Sequence, residues 1–251
     1  MSQTECVFCN QTREKAKEHI WPKWIHEFDD AAEGGMHRSQ HIGLMSNPGL
    51  IDERKQSPNS LVFGHVCKPC NNGWMSRLET DAAPSIKDVA DHASDAGTWS
   101  KEQSESVATW AFKTVLMINA GSNYRRIVPK VHYRNLYNNR QPPHGVDVEV
   151  AISGELVVGR EWQQSQNMMI LGPEDRALEK QKHQKNCYTI GLALKHLLLR
   201  VTYWPDQTAD VNPDSSMSTM YTRGEPREVN FENVPVLEGT HHLAMGIVVY
   251  S

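Results

Sequence analysis

Two C-x-x-C pairs near the N-terminus, a helical apolar period over residues 100–120 and a period of two from Val146 onward predict an α+β chain. The same observations divide it into a small cysteine-bearing unit over residues 1–80 and an α+β region over residues 81–251. In the latter, a helix at about 100–120 precedes strands that begin at about 146 and form an antiparallel sheet.

The first element is set by cysteine chemistry. Cys6-Val7-Phe8-Cys9 and Cys67-Lys68-Pro69-Cys70 each place two thiols at the spacing of a tight knuckle. Two such knuckles supply the four corners of a tetrahedron, so Cys6, Cys9, Cys67 and Cys70 are predicted to hold a structural Zn²⁺. The metal would close a loop whose ends, Cys9 and Cys67, lie 58 positions apart. A redox role is the competing reading, but a thioredoxin-type pair opens a helix after a strand, and neither pair has that setting. Cys187 heads an apolar stretch and is predicted to be an inert buried thiol.

Each knuckle is followed by a distinctive run. Glu18-His19-Ile20-Trp21-Pro22 follows the first, and Asn71-Asn72-Gly73-Trp74 follows the second directly. The order C-x-x-C, acidic residue-His-Ile-x-Pro, C-x-x-C-Asn resembles the HNH family, the treble-clef branch of the ββα-metal nucleases. The resemblance covers residues 4–80, about a third of the chain. It implies a zinc-bound treble-clef fold in which His19 is the general base that activates water against a phosphodiester. It also implies that Glu18 and Asn71 hold a catalytic Mg²⁺ or Mn²⁺. The chain departs from the family at several positions. Glu18 stands where Asp is commoner, Val62 holds the place of the central Asn, the nearest Asn is Asn59, and Gly73-Trp74 replaces the usual basic residue, with Lys68 and Arg77 nearby.

Other histidines surround this unit: His26, His37, His41 and His65. The glycines flanking His37 and His41 predict a loop there, and the pattern does not favour a second metal site. Trp21, Trp24 and Trp74 are predicted to pack around the zinc unit, which is short of apolar mass.

Residues 72–93 carry Trp74, Leu78, Ala82 and Ile86 at i, i+4 spacing and predict a helix, broken or kinked at Pro84. A Gly-containing loop over 94–100 follows. Ser100 and Gln103 have capping-box spacing and predict the start of the clearest helix, which ends at Gly121. Pro129 to Pro143 predicts a polar surface helix or loop, and its arginines are read as a solvated face. Val146 to Ile152 alternates, and Ser153-Gly154 predicts a turn into a second strand at Glu155–Val158. Met168–Leu171 predicts another strand. Tyr188–Leu194 and Leu198–Trp204 predict two more, hairpin-paired through Lys195-His196, with a helix over 192–200 as the competing reading. Residues 205–232 read as a long loop and His242–Tyr250 as the last strand.

Composition bounds the function. Of 251 residues, 39% are hydrophobic and 22% charged, which excludes wholesale disorder. The net charge of -4 excludes a strongly basic nucleic-acid coat but leaves room for a local binding cleft. No apolar run approaches the roughly 20 residues of a membrane helix, and the polar start lacks a signal-peptide core, so a cytoplasmic location without membrane contact is predicted. The leading expectation is an HNH-like, metal-dependent endonuclease acting on nucleic acid, DNA before RNA. The alternative is a catalytically inactive HNH-like zinc module that binds nucleic acid, a protein or a small ligand through the C-terminal region. No dimer interface is visible in the sequence.

Overall fold

The structure is a computed structural model that describes residues 2–28, 37–43, 49–56, 62–92, 97–121, 126–166, 168–172, 183, 186–206, 208–212, 215–240 and 243–250. It is a mixed helix-and-sheet fold, α+β as the sequence predicts.

The N-terminal unit is built from short pieces. Strands β1 (Gln3–Glu5) and β2 (Thr12–Glu14) form an antiparallel pair around the first knuckle. Strand β3 (Glu18–His19) leads into a 3₁₀ turn over Lys23–Phe28. Strands β4 (His37–Gly43) and β5 (Gly49–Gln56) form an antiparallel pair of their own. His37 and His41 therefore lie on a strand and not in the predicted loop, and their side chains, like His26 and Asn59, fall outside the described residues. Strand β6 (Val62–Phe63) returns to pair with β3 and sets Val62 opposite His19.

The second knuckle opens the helical part. Helix α1 (Lys68–Cys70) passes through an irregular turn, Asn71–Met75, into helix α2 (Ser76–Asp91). Gly73 alone has non-helical angles inside that turn. The predicted break at Pro84 is not there: the helix runs through it, because burial of Ala82, Ile86, Val89 and Ala90 fixes both halves on one core. Strand β7 (Thr98–Trp99) precedes helix α3 (Lys101–Gly121), so Trp99 is in a strand and Ser100 is the cap. The capping box forms in both directions. The Ser100 amide donates to Gln103 Oε1 at 2.8 Å, and the Gln103 amide donates to Ser100 Oγ at 3.3 Å.

Helix α3 is buried on every side from Val107 to Ala120, which makes it the central element of the core. At its end, Gly121 permits close contact with the N-terminal unit, since a Cβ there would lie 2.4 Å from Ile20 Cδ1. Asn119 then fastens the next segment. Its Oδ1 accepts from the amides of Ile127 and Val128, and its Nδ2 donates to Tyr133 on helix α4 (Lys130–Asn139).

The sheet departs most from expectation. Strand β8 (Val146–Ser165) is continuous, and the predicted turn at Ser153-Gly154 is a bulge within it. Strand β9 (Met168–Leu171) follows, and then β10 (Tyr188–Tyr203), also one strand where a hairpin was predicted. Lys195, at φ +51°, absorbs the irregularity: β10 slips register there against β8, and His196 Nδ1 meets the Ser153 carbonyl at 2.9 Å. Local turn signals lose to the long antiparallel ladder of these two strands. The predicted loop over 205–232 also carries structure: β11 (Asp210–Val211), β12 (Ser218–Thr222), β13 (Glu225–Pro226) and β14 (Val229–Asn230). Strands β15 (Val236–Leu237) and β16 (Gly246–Val249) complete the chain, with β16 shorter than the predicted His242–Tyr250 and residue 242 outside the described residues. The main sheet has the order β10-β8-β12-β13 and is not purely antiparallel, because β15 pairs parallel with β8; a separate sheet, β11-β16-β9, pairs β16 parallel with β9. One apolar cluster runs from Cys6 and Phe8 through α3 to the inner face of β10.

His132 on α4 is 2% exposed, with its Nδ1 2.9 Å from Tyr188 Oη. Desolvation pushes its pKa down to about 4. The fold therefore holds His132 neutral while the unfolded chain protonates it below about 6.5. The stability this brings is whole above pH 6.5 and is lost as pH falls towards 4, up to about 3 kcal/mol. Urea unfolding of wild type and His132→Gln between these limits should show the wild type losing more stability on acidification. Parallel pH curves would disprove the assignment. Among the described residues, no helix is long and apolar enough to cross a membrane.

Candidate metal centre and adjoining cleft

The four paired cysteines converge. Their sulfur atoms all lie within 4.8 Å of one another, and all four residues are buried. The first knuckle closes because Asn10 adopts φ +55° and its amide donates to the Cys6 carbonyl at 2.8 Å. In the second, the Asn71 amide donates to the Cys67 carbonyl at 3.0 Å. The knuckles are bound to each other by the Val7 amide on the His65 carbonyl and the Ala16 amide on the Val66 carbonyl.

The donor set fits a tetrahedral metal ion. With Zn–S bonds of about 2.3 Å, a regular tetrahedron has edges of about 3.8 Å. Cys9 Sγ and Cys67 Sγ, from different knuckles, are 3.7 Å apart. That is far beyond the roughly 2.05 Å of a disulfide, and it joins the two pairs where a redox role needs contact within each. The thiols also share protons. The hydrogen bond from Cys70 lowers Cys6 to about 4, and the same bond pushes Cys70 up. Such crowding favours a cation that takes the thiolate charge. The group can thus hold a metal ion such as zinc. Cys187 lies apart, and burial raises its thiol to about 11, as expected of an inert residue.

Beside this centre is an open cleft of about 860 Å³ between β3 and the start of α2. Glu18, His19, Asn71 and Glu79 all line it. The β3–β6 pair fixes Glu18 and His19, and the turn after Cys70 fixes Asn71. Lys17, Lys23 and Lys87 stand on its walls, with Lys87 5.8 Å from the Trp24 ring centroid. Trp21 packs in the core, as expected, and Trp74 meets Phe8 edge-on at 5.4 Å.

The electrostatics centre on a residue that the sequence reading did not single out. Lys113, fully buried on α3, places Nζ 3.0 Å from Glu18 Oε1 and 2.5 Å from Glu79 Oε1. Burial pushes the Glu18 carboxyl above the usual carboxylate range, although Lys113 opposes it. Desolvation works against the Lys113 ammonium, but the two carboxylates hold its pKa above that of an ordinary lysine. Desolvation and the Lys23 ammonium hold the His19 imidazole below its ordinary pKa, against the pull of Glu79. A lone lysine between Phe112 and Thr114 in an apolar helix was the available signal. Lys68, read as a nearby cation, pairs instead with Glu14. His65 is exposed, and its ring contacts Phe63.

The chain matches no family model, no curated protein and no solved structure.

Proposed function

We propose that this chain is an HNH-like, metal-dependent endonuclease that hydrolyses phosphodiester bonds in DNA, with a structural zinc at Cys6, Cys9, Cys67 and Cys70. One observation carries the reading: Glu18, His19 and Asn71 line a single cleft between strand β3 and the turn and helix that follow the four-cysteine cluster. Strand pair, knuckle and helix follow each other here as the ββα-metal resemblance implies.

In this reading His19 takes the proton of the attacking water, a task suited to a neutral imidazole on a cleft wall. The wall lysines draw in the anionic backbone, and Lys113, paired with both carboxylates, offsets one of their two charges. Glu18 and Asn71 offer hard oxygen donors suited to Mg²⁺ or Mn²⁺, with Glu79 a further carboxylate in the same cleft. Such an ion supplies charge stabilisation at the phosphorane and the leaving 3′ oxygen.

The test is cleavage of supercoiled plasmid, single-stranded DNA and RNA by zinc-loaded protein with added Mg²⁺ or Mn²⁺. His19→Ala is expected to lower the rate about 100- to 10,000-fold. Metal-dependent cleavage that survives in His19→Ala would refute the assignment of the base. A folded, zinc-loaded wild type that cuts none of these substrates would favour the second reading, a non-catalytic binding module. Two observations favour that second reading: Val62, at the place of the family's Asn, is the backbone register partner of His19, and Glu18 rests on Lys113.

A further inference from the structure

On the far side of the turn that carries Asn71 lies a second, smaller cavity. Residues Asn71, Asn72 and Ser76 face the cleft, whereas Gly73, Trp74 and Arg77 face this pocket, so a single turn of chain separates the two. Its volume is about 150 Å³.

Three arginines from three elements line it: Arg13 of β2, Arg77 of α2 and Arg140 at the end of α4. Among the described residues no carboxylate lines it, but three thiols of the metal centre, Cys9, Cys67 and Cys70, do. The Arg13 and Arg77 side chains have no hydrogen-bond or ion-pair partner among the described residues. Arg140 is held in place. Its guanidinium lies 4.6 Å from the Trp74 ring centroid and 4.7 Å from that of Tyr137. Its backbone takes the left-handed conformation that ends α4, with its amide on the Leu136 carbonyl at 3.0 Å. The helix is itself tied to the first knuckle, because Arg134 donates to the Cys9 carbonyl at 2.6 Å. The segment read from sequence as a solvated face therefore gives one arginine to structure and another to this pocket. Beyond Arg77 and Arg140 the adjoining surface turns acidic through Asp81, Glu102 and Glu105, which confines an anion to the pocket.

We propose that Arg13, Arg77 and Arg140 bind one backbone phosphate of the nucleic-acid strand, a neighbour of the phosphate in the His19 cleft. The inference rests on the nuclease reading for its choice of ligand. Convergent guanidinium groups without a carboxylate partner suit a phosphate's oxygens, and the stacked Arg140 has its fork fixed before the ligand arrives.

The experiment measures binding without cleavage. A fluorescein-labelled single-stranded oligonucleotide is titrated by anisotropy with zinc-loaded His19→Ala protein, free of added divalent ions, from about 50 to about 200 mM salt. The same titration is run with Arg13→Ala/Arg77→Ala added. Both arginines are exposed and unpartnered, so the fold is not at risk. Affinity is expected to fall at least about tenfold. The salt slope should become shallower by about 0.7, the contribution of one single-strand phosphate. Arg140→Ala should act in the same direction. Unchanged affinity and slope in protein with full zinc content would overturn the proposal. Loss of zinc with an unchanged slope would overturn it too, because the arginines would then only screen the thiolates. Cleavage by wild type is scored separately. Binding that drops in the arginine variants while the wild type cuts nothing keeps the pocket and removes the nuclease. Cleavage with arginine-independent binding does the reverse.

Discussion

Removing the metal, by chelation or by Cys70→Ser, is expected to open the N-terminal unit and leave the sheet standing. Strands β1 and β2 have three residues each and are largely exposed, and an isolated hairpin of this size is marginal in water. Four-thiolate zinc contributes an apparent binding free energy of about 10–16 kcal/mol in small zinc domains. Packing around the knuckles, with Phe8, Ile20, Trp21, Ile25, Val66 and Trp74 buried, is the rival source of order. The α3–β10 core shares some of these contacts, but Val107 to Ala120 also bury against α2, β10 and β12, which the metal does not touch. Thiol titration reads this directly. All five cysteines are buried, so the loaded protein should show no reactive thiol. The chelated protein should show four and the Cys70→Ser variant three, while Cys187 stays protected. Thiols that stay protected after metal loss is verified would mean that packing alone holds the knuckles. Five reactive thiols would mean that the metal also supports the sheet.

What was legible in the sequence was whatever depends on near neighbours. The C-x-x-C spacing foretells the knuckles, and Ser100 with Gln103 foretells a cap whose two hydrogen bonds both form. The apolar period of α3 foretells a buried helix. Errors fall where a distant partner decides. Ser153-Gly154 and Lys195-His196 read as reversals, yet they face each other across β8 and β10 and become one paired irregularity. Pro84 reads as a break, yet α2 is clamped on both sides of it. The cleft shows the same division. Glu18 and His19 are adjacent in sequence and stand out there, but Lys113, the partner of Glu18, arrives from helix α3, and no local pattern pairs it with Glu18 and Glu79. The arginine pocket needs three elements to meet, so its members read singly as solvated charges.

Replacing Lys113 with Met should destabilise the protein by about 3–5 kcal/mol, the usual consequence of taking one partner from a buried ion pair. The side chain is fully buried, Glu18 is 6% exposed, and Glu79 shares the same ammonium. Methionine fills most of the space but leaves two carboxylates together with no cation between them. Glu18 responds by holding its proton. Burial already raises its pKa in the wild type, and loss of Lys113 removes the main opposing influence. A carboxyl whose folded pKa lies above its unfolded value contributes stability at low pH and loses it as pH rises through the folded pKa. The Lys113→Met deficit should therefore be smaller near pH 5 than near pH 8. Adding Glu18→Gln should recover part of it at pH 8, because a neutral amide asks for no counter-charge. Denaturant unfolding of the three proteins at both pH values decides the matter. A deficit below about 1 kcal/mol, the range of an exposed pair, would show that water reaches this triad after all. A deficit independent of pH and of Glu18 would place the damage in packing, leaving α3 short of a shape and not of a charge.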